Sequence, residues 1–126
     1  MREEGKIVGR RGEEEAGRYL RERGHVVLAR NFRSGHTELD LVTLAEDGLH
    51  FVEVKSRTAP CTAEPQDAVG PTKQRRLIRA AQGFLRCPGR AALQEQELFF
   101  DILTVVFDKD TTYIQYYPQA FIPLYV

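Results

Sequence analysis

Residues 38–57 read ELDLVTLAEDGLHFVEVKSR, two apolar runs on either side of Asp47-Gly48. An Asp-Gly pair between alternating runs signals a two-residue hairpin turn, because glycine takes up positive φ without a steric penalty. Charged side chains interrupt both runs: Asp40 in the first, Glu53 and Lys55 in the second. A turn centred on Asp47-Gly48 pairs Glu46 with Leu49, and so sets Asp40 opposite Lys55 and Val42 opposite Glu53. Opposed residues share a face and side chains repeat every second residue, so Asp40, Glu53 and Lys55 project together. Asp40 and Glu53 are then diagonal neighbours, about 7–8 Å apart at the backbone, a gap that two carboxylates can close around a shared ion. A slip of a single residue would turn Asp40 to the opposite face.

Both faces of this hairpin are apolar. Leu39, Leu41, Val52 and Val54 form one; Val42, Leu44, Leu49 and Phe51 form the other and share it with the three charges. A sheet with two apolar faces is covered on both. Carboxylates and a lysine in such a layer are costly unless they are paired or bind a metal. A ladder of solvated surface charges would account for them only if that face lay open to water. Clustered, environment-perturbed charges are instead the usual mark of a site.

Working outward, the N-terminal side supplies a helix over residues 10–23 after a flexible lead-in, residues 1–8. Ala16, Tyr19, Leu20 and Arg23 recur at helical spacing, and Gly24 stops the run. Glu13 falls on the same inward face. It either favours the positive end of the helix or aims a carboxylate at the sheet. Residues 25–32 read as a strand, with a turn over 33–35.

On the C-terminal side, residues 58–71 are rich in Pro, Ala and turn formers and read as a long loop. A second helix follows over 72–87, with Thr72 as N-cap and Leu77, Ile78, Ala81, Phe84 and Leu85 as its apolar stripe. Lys73, Arg75, Arg76, Arg79 and Arg86 load this helix with positive charge and no acid offsets them, which suits contact with a nucleic-acid backbone. Gln74 lies near the helix start, where it can face the site. Strands over 97–107 and 112–117 follow, and residues 118–126 form a tail. Asp101 interrupts the first of these strands, either to serve the site or as a hydrogen-bonded structural acid. The late aromatics Tyr113, Tyr116, Tyr117, Phe121 and Tyr125 suit core packing or a dimer contact better than base stacking. Helix, three strands, helix, two strands gives one α/β domain over 1–126, a mixed five-stranded sheet flanked by helices.

The formal net charge is zero, but residues 34–54 hold five acids and no Lys or Arg, whereas residues 55–90 hold eight bases and two acids. A basic segment beside a carboxylate cluster suits a phosphate-bearing polymer. Cys61 and Cys87 form no metal or disulfide framework and read as reduced thiols of a cytoplasmic protein. His25, His36 and His50 show no ligand spacing and read as surface or strand-end residues. No apolar run is long enough to span a membrane.

A helix glutamate, a strand aspartate and a Glu-x-Lys strand, in that order, resemble the PD-(D/E)xK nuclease superfamily. The chain is more specifically similar to the YraN-like family of small bacterial proteins, which resemble Holliday-junction resolvases. The matching blocks are GRRGEEEAGRYL (9–20), ARNFRSGHTELDLVTL (29–44), FVEVKSR (51–57), AVGPTKQRRLIRAAQGFL (68–85) and FFDILTV (99–105). Two positions depart from the family pattern: Thr37 where glycine is usual, and Gln119-Ala120-Phe121 where the tail usually has Asn-Ala-Phe.

The resemblance implies a restriction-endonuclease-like fold and metal-dependent hydrolysis of phosphodiester bonds in DNA, branched DNA included. It implies Mg²⁺ or Mn²⁺ held by Asp40 and Glu53, with Glu13 completing the shell. Lys55, Glu13 and Gln74 would be the catalytic side chains. Arg57, Lys73, Arg75, Arg76 and Arg79 would contact the nucleic acid, and a homodimer would suit a junction. The alternatives are a binding module that does not cut, and a structural metal site in an interaction protein.

Overall fold

The computed structural model describes residues 2–60 and 70–122. The chain runs α1 (Arg2–Glu22), β1 (Val26–Ser34), β2 (Thr37–Ala45), β3 (Gly48–Thr58), α2 (Pro71–Arg86), a 3₁₀ turn (Ala91–Glu95), β4 (Leu98–Asp108) and β5 (Thr111–Phe121). The five strands form one sheet in sequence order. All neighbours are antiparallel except β3 and β4, which run parallel on either side of the α2 crossover. This is the expected α/β architecture, a mixed five-stranded sheet flanked by two helices, and it is consistent with a restriction-endonuclease-like fold.

Each face of the sheet has its own core. Ala16 and Leu20 of α1 pack with Leu41, Val52, Leu103, Val105 and Phe107. Leu77, Ile78, Ala80, Ala81 and Phe84 of α2 pack with Leu39, Val42, Leu49, Phe51, Phe100 and Ile102. Each large side chain so buried contributes about 1.5–3 kcal/mol relative to an exposed one. α1 ends as its glycine dictates: Gly24 has φ +91°, and the N–H groups of Arg23, Gly24 and His25 bond back to the carbonyls of Leu20, Arg21 and Leu20.

Several expected boundaries move. The lead-in is helical from Arg2, so α1 reaches further back than residue 10. α2 is capped by Gly70 rather than Thr72, with Pro71 in the first helical turn. β5 extends to Phe121 and takes in the first part of the expected tail, whereas residues 123–126 lie outside the described residues. Most of the expected 58–71 loop, residues 61–69 with Cys61, also lies outside them. Cys87 is a free thiol.

The central hairpin closes one step earlier than Asp47-Gly48 suggests. Ala45 pairs with Gly48 and Leu41 with Val52, so Glu46 and Asp47 form the turn. Gly48 serves another purpose: a Cβ there would lie 2.4 Å from the Glu97 carbonyl oxygen, which accepts the Leu49 N–H at 2.8 Å. The register differs by an even number of residues, so the faces of β3 keep their expected sides. One residue of β2 does not. Leu39 packs with the α2 core and Leu41 with the α1 core, so strict alternation fails between them, at Asp40.

Candidate functional site

The site lies where the sheet forks. β2 keeps its pairing with β1 down to Thr37, and β3 keeps its pairing with β4 up to Thr58, but the β2–β3 register ends at Leu41 and Val52. Backbone groups freed at such a parting need other partners. Asp40 supplies one: its Oδ2 accepts the Val54 N–H at 2.9 Å. A polar side chain inside the apolar run thus replaces a ladder carbonyl and breaks the alternation.

Asp40 gathers other acids. Carboxylate oxygens of Glu13, Glu38 and Asp40 lie within 4.8 Å of one another. Burial, and then the charges of Glu53, Glu13 and Glu38, push the Asp40 carboxyl up to about 7, although the Val54 N–H pulls it down. Burial and the Glu38 charge likewise raise Glu13, against a hydrogen bond from the Asn31 side chain. Asn31 sits at φ +52° in β1, a left-handed conformation that asparagine tolerates better than most residues.

Glu53 stands on the other arm of the fork. Glu38, Asp40 and Glu53 line a common small cavity, yet the Glu53 carboxylate is turned to lysines. Its Oε1 lies 2.5 Å from Lys73 Nζ and 3.5 Å from Lys55 Nζ. Its Oε2 is buried and has no hydrogen-bond partner among the described residues. Burial, followed by the neighbouring Lys73, lowers the Lys55 ammonium from its ordinary value. Burial acts on Lys73 in the same sense but is outweighed by Glu53, so Lys73 is raised.

The structure places the expected ligands Asp40, Glu53 and Glu13 unequally. Glu13 and Asp40 meet as expected, Glu38 joins them, and Glu53 stays beside the cluster with Lys55 and Lys73. The expected geometry placed Asp40, Glu53 and Lys55 on one continuous face; the fork separates them onto two arms. Glu38 was open to sequence reasoning, being two residues from Asp40 on the same strand. Asn31 carried no such signal.

The residues fit a hard divalent cation. The donors are carboxylate oxygens, the type Mg²⁺ and Mn²⁺ take. Fully ionised, Glu53 faces Lys55 and Lys73 and Glu38 faces Arg33 at 3.4 Å, while Glu13 and Asp40 have no ion pair among the described residues. Burial first, then the neighbouring acids, holds the Asp40 carboxyl high, and Glu53 Oε2 is left without a partner among the described residues; a cation would relieve both.

Gln74 lies half-buried in the first turn of α2 beside Lys73, its N–H bonded to the Gly70 carbonyl. Arg75, Arg76 and Arg79 lie on the exposed side of the same helix, and Arg57 is exposed near the end of β3. α2 has no acid in its first turn.

A second polar cluster forms around His50. This histidine lies near the start of β3, the strand-end alternative of its reading, and is buried at 3% exposure rather than at the surface. Its Nδ1 lies 2.6 Å from Asp101 Oδ2 and its Nε2 lies 2.7 Å from Asp47 Oδ1. Asp101 is also buried, and takes the Tyr116 hydroxyl and the Gln119 N–H. Burial opposes the charge on His50, but the two carboxylates prevail and raise it. Asp101 is thus a hydrogen-bonded acid, and it also lines the cavity shared by Glu38, Asp40 and Glu53.

The mixed five-stranded sheet flanked by two helices defines an α/β protein, consistent with a restriction-endonuclease-like fold. Residues 12–105 match the profile described as Uncharacterised protein family UPF0102, and the chain belongs to that family. It is 44% identical over 98 residues to a UPF0102 protein of Chlorobium chlorochromatii, covering 78% of this chain and 73% of the relative. It is 40% identical over 114 residues to one of Anaeromyxobacter dehalogenans, covering 90% and 83%. A UPF0102 protein of Bacteroides thetaiotaomicron is 36% identical over 116 residues, covering 92% and 93%. Among the described residues no helix is long and apolar enough to cross a membrane.

Proposed function

We propose that the protein is a metal-dependent endonuclease of the PD-(D/E)xK type that hydrolyses phosphodiester bonds in DNA. The observation that carries this reading is the acid cluster of Glu13, Glu38 and Asp40 at the fork, with the unpartnered Glu53 oxygen and Lys55 beside it. Asp40, Glu13 and Glu38 would hold Mg²⁺ or Mn²⁺, joined by Glu53. When bound, such an ion polarises a scissile phosphate and activates water for attack.

The other roles belong to the chain. Lys55 is held at the carboxylates by β3 and would position the attacking water, or offset charge developing on the phosphate. Asn31 holds the Glu13 carboxylate in place through its hydrogen bond. Gln74 would donate a hydrogen bond to water or phosphate from the first turn of α2. Lys73, Arg75, Arg76, Arg79 and Arg57 would seat the backbone of the nucleic acid. Branched DNA is the preferred substrate class, with a two-fold dimer presenting two such sites to a junction in the cytoplasm.

The test is a panel of linear, flapped and four-way DNA with Mg²⁺ or Mn²⁺, comparing wild type with Asp40→Ala and Lys55→Ala. Cleavage by wild type that both substitutions abolish supports the reading. Salt-sensitive binding without cleavage of any substrate replaces it with a nucleic-acid-binding module on the same fold.

A further inference from the structure

The two oxygens of Glu53 are treated unequally. Oε1 takes both lysines while Oε2, buried, takes no partner among the described residues. The two lysines also differ. Lys55 sits two residues further along the same strand, and its side chain is 15% exposed. Lys73 arrives from the first turn of α2, makes the shorter contact at 2.5 Å, and is 38% exposed. A lysine ammonium is a compact charge on a flexible four-carbon stem, so a half-exposed one can exchange partners without moving its helix. Lys73 also shares that helix with the exposed Arg76 and Arg79.

We propose that Lys73 is the resident counter-ion of the site: it holds Glu53 while no cation is bound, gives that carboxylate up to an entering divalent cation, and swings toward a nucleic-acid phosphate. This rests on the metal-centre reading above. It follows that cation and phosphate bind cooperatively. Each releases or captures the same ammonium, and linkage makes the effect reciprocal. An ordinary surface ion pair would do neither, because such pairs are worth little and exchange freely with solvent.

The test reads the lysine directly. Intact wild-type protein is pulsed with an amine-acylating reagent, with and without Mn²⁺, and modification at Lys73 is measured by peptide mass spectrometry. Mn²⁺ is expected to speed acylation of Lys73 several-fold. Glu53→Gln should acylate quickly at Lys73 whether or not Mn²⁺ is present. In calorimetry, Lys73→Met should bind Mn²⁺ about threefold to tenfold more tightly than wild type, the change that follows from removing a modest competing pair. Mn²⁺ binding to wild type with Lys73 acylation unchanged overturns the inference and leaves the metal centre standing. No Mn²⁺ binding to wild type or Lys73→Met overturns the metal centre itself, and the inference with it.

Discussion

The Asp40 carboxylate meets those of Glu13 and Glu38, is steadied by one backbone amide, and its proton registers its burial among acids. Its folded pKa is about 7 against an ordinary value of 3.8, so the folded state binds the proton more strongly. The resulting stability is fully present below 3.8 and is lost as pH rises through 7. Asp40→Asn lacks that loss. In chelator at pH 8 it should be more stable than wild type by about 1–3 kcal/mol, with a smaller advantage at pH 5, as urea unfolding at the two pH values would measure. The sequence made Asp40, Glu53 and Lys55 legible, because charge inside an apolar strand stands out against a simple alternation. It hid Asn31, whose value lies in a left-handed backbone conformation and a contact from β1 to Glu13 of α1.

At the scale of elements, the approach of α1 to β3 sets where Glu13 points. A Cβ on Gly12 would lie 1.7 Å from Ser56 Oγ and 2.7 Å from Ser56 Cβ, so helix and strand meet with no room for a methyl group. Gly12→Ala should destabilise the protein by about 1–3 kcal/mol and displace Glu13 from the acid cluster. Ser56→Gly in the same chain should recover most of that loss in thermal unfolding, since it removes the side chain the new methyl meets. Both helices and all five strands were readable from periodicity and turn residues. The fork was not, because a period of two assumes that two strands stay paired along their length. The hairpin shows a related limit: Asp47-Gly48 marked the right turn, but Gly48 lies just past the turn centre, where its φ of +148° and the Glu97 carbonyl both call for glycine.

For the whole molecule, a formal charge of zero conceals strongly localised charge. If α2 seats nucleic acid, Arg76→Ala with Arg79→Ala should weaken DNA binding and flatten the slope of log affinity against log salt by about two units, as a salt titration would show. On the other side of the sheet, His50 ties the hairpin turn, β4 and β5 together through Asp47, Asp101 and Tyr116. Its pKa is raised above 6.5, so its contribution is fully present below 6.5 and fades as pH rises through the raised value. His50→Ala should cost about 2–4 kcal/mol at pH 6 and less at pH 9, measured by denaturant unfolding, because it strips a buried carboxylate of its charged partner. Burial made Asp101 and His50 partners across 51 positions of sequence, a pairing that no local pattern reveals.

The fork has a mechanical consequence. Below Leu41 and Val52 the sheet is two leaves, β1–β2 and β3–β4–β5, bound along a spine near the hairpin turn. Asp40 and Glu53 lie just past the end of that spine, where a small change in angle gives a small, controllable gap. Asp40 already ties the leaves at that point through the Val54 N–H, and the His50 network fastens the hairpin turn to β4 and β5 at the closed end.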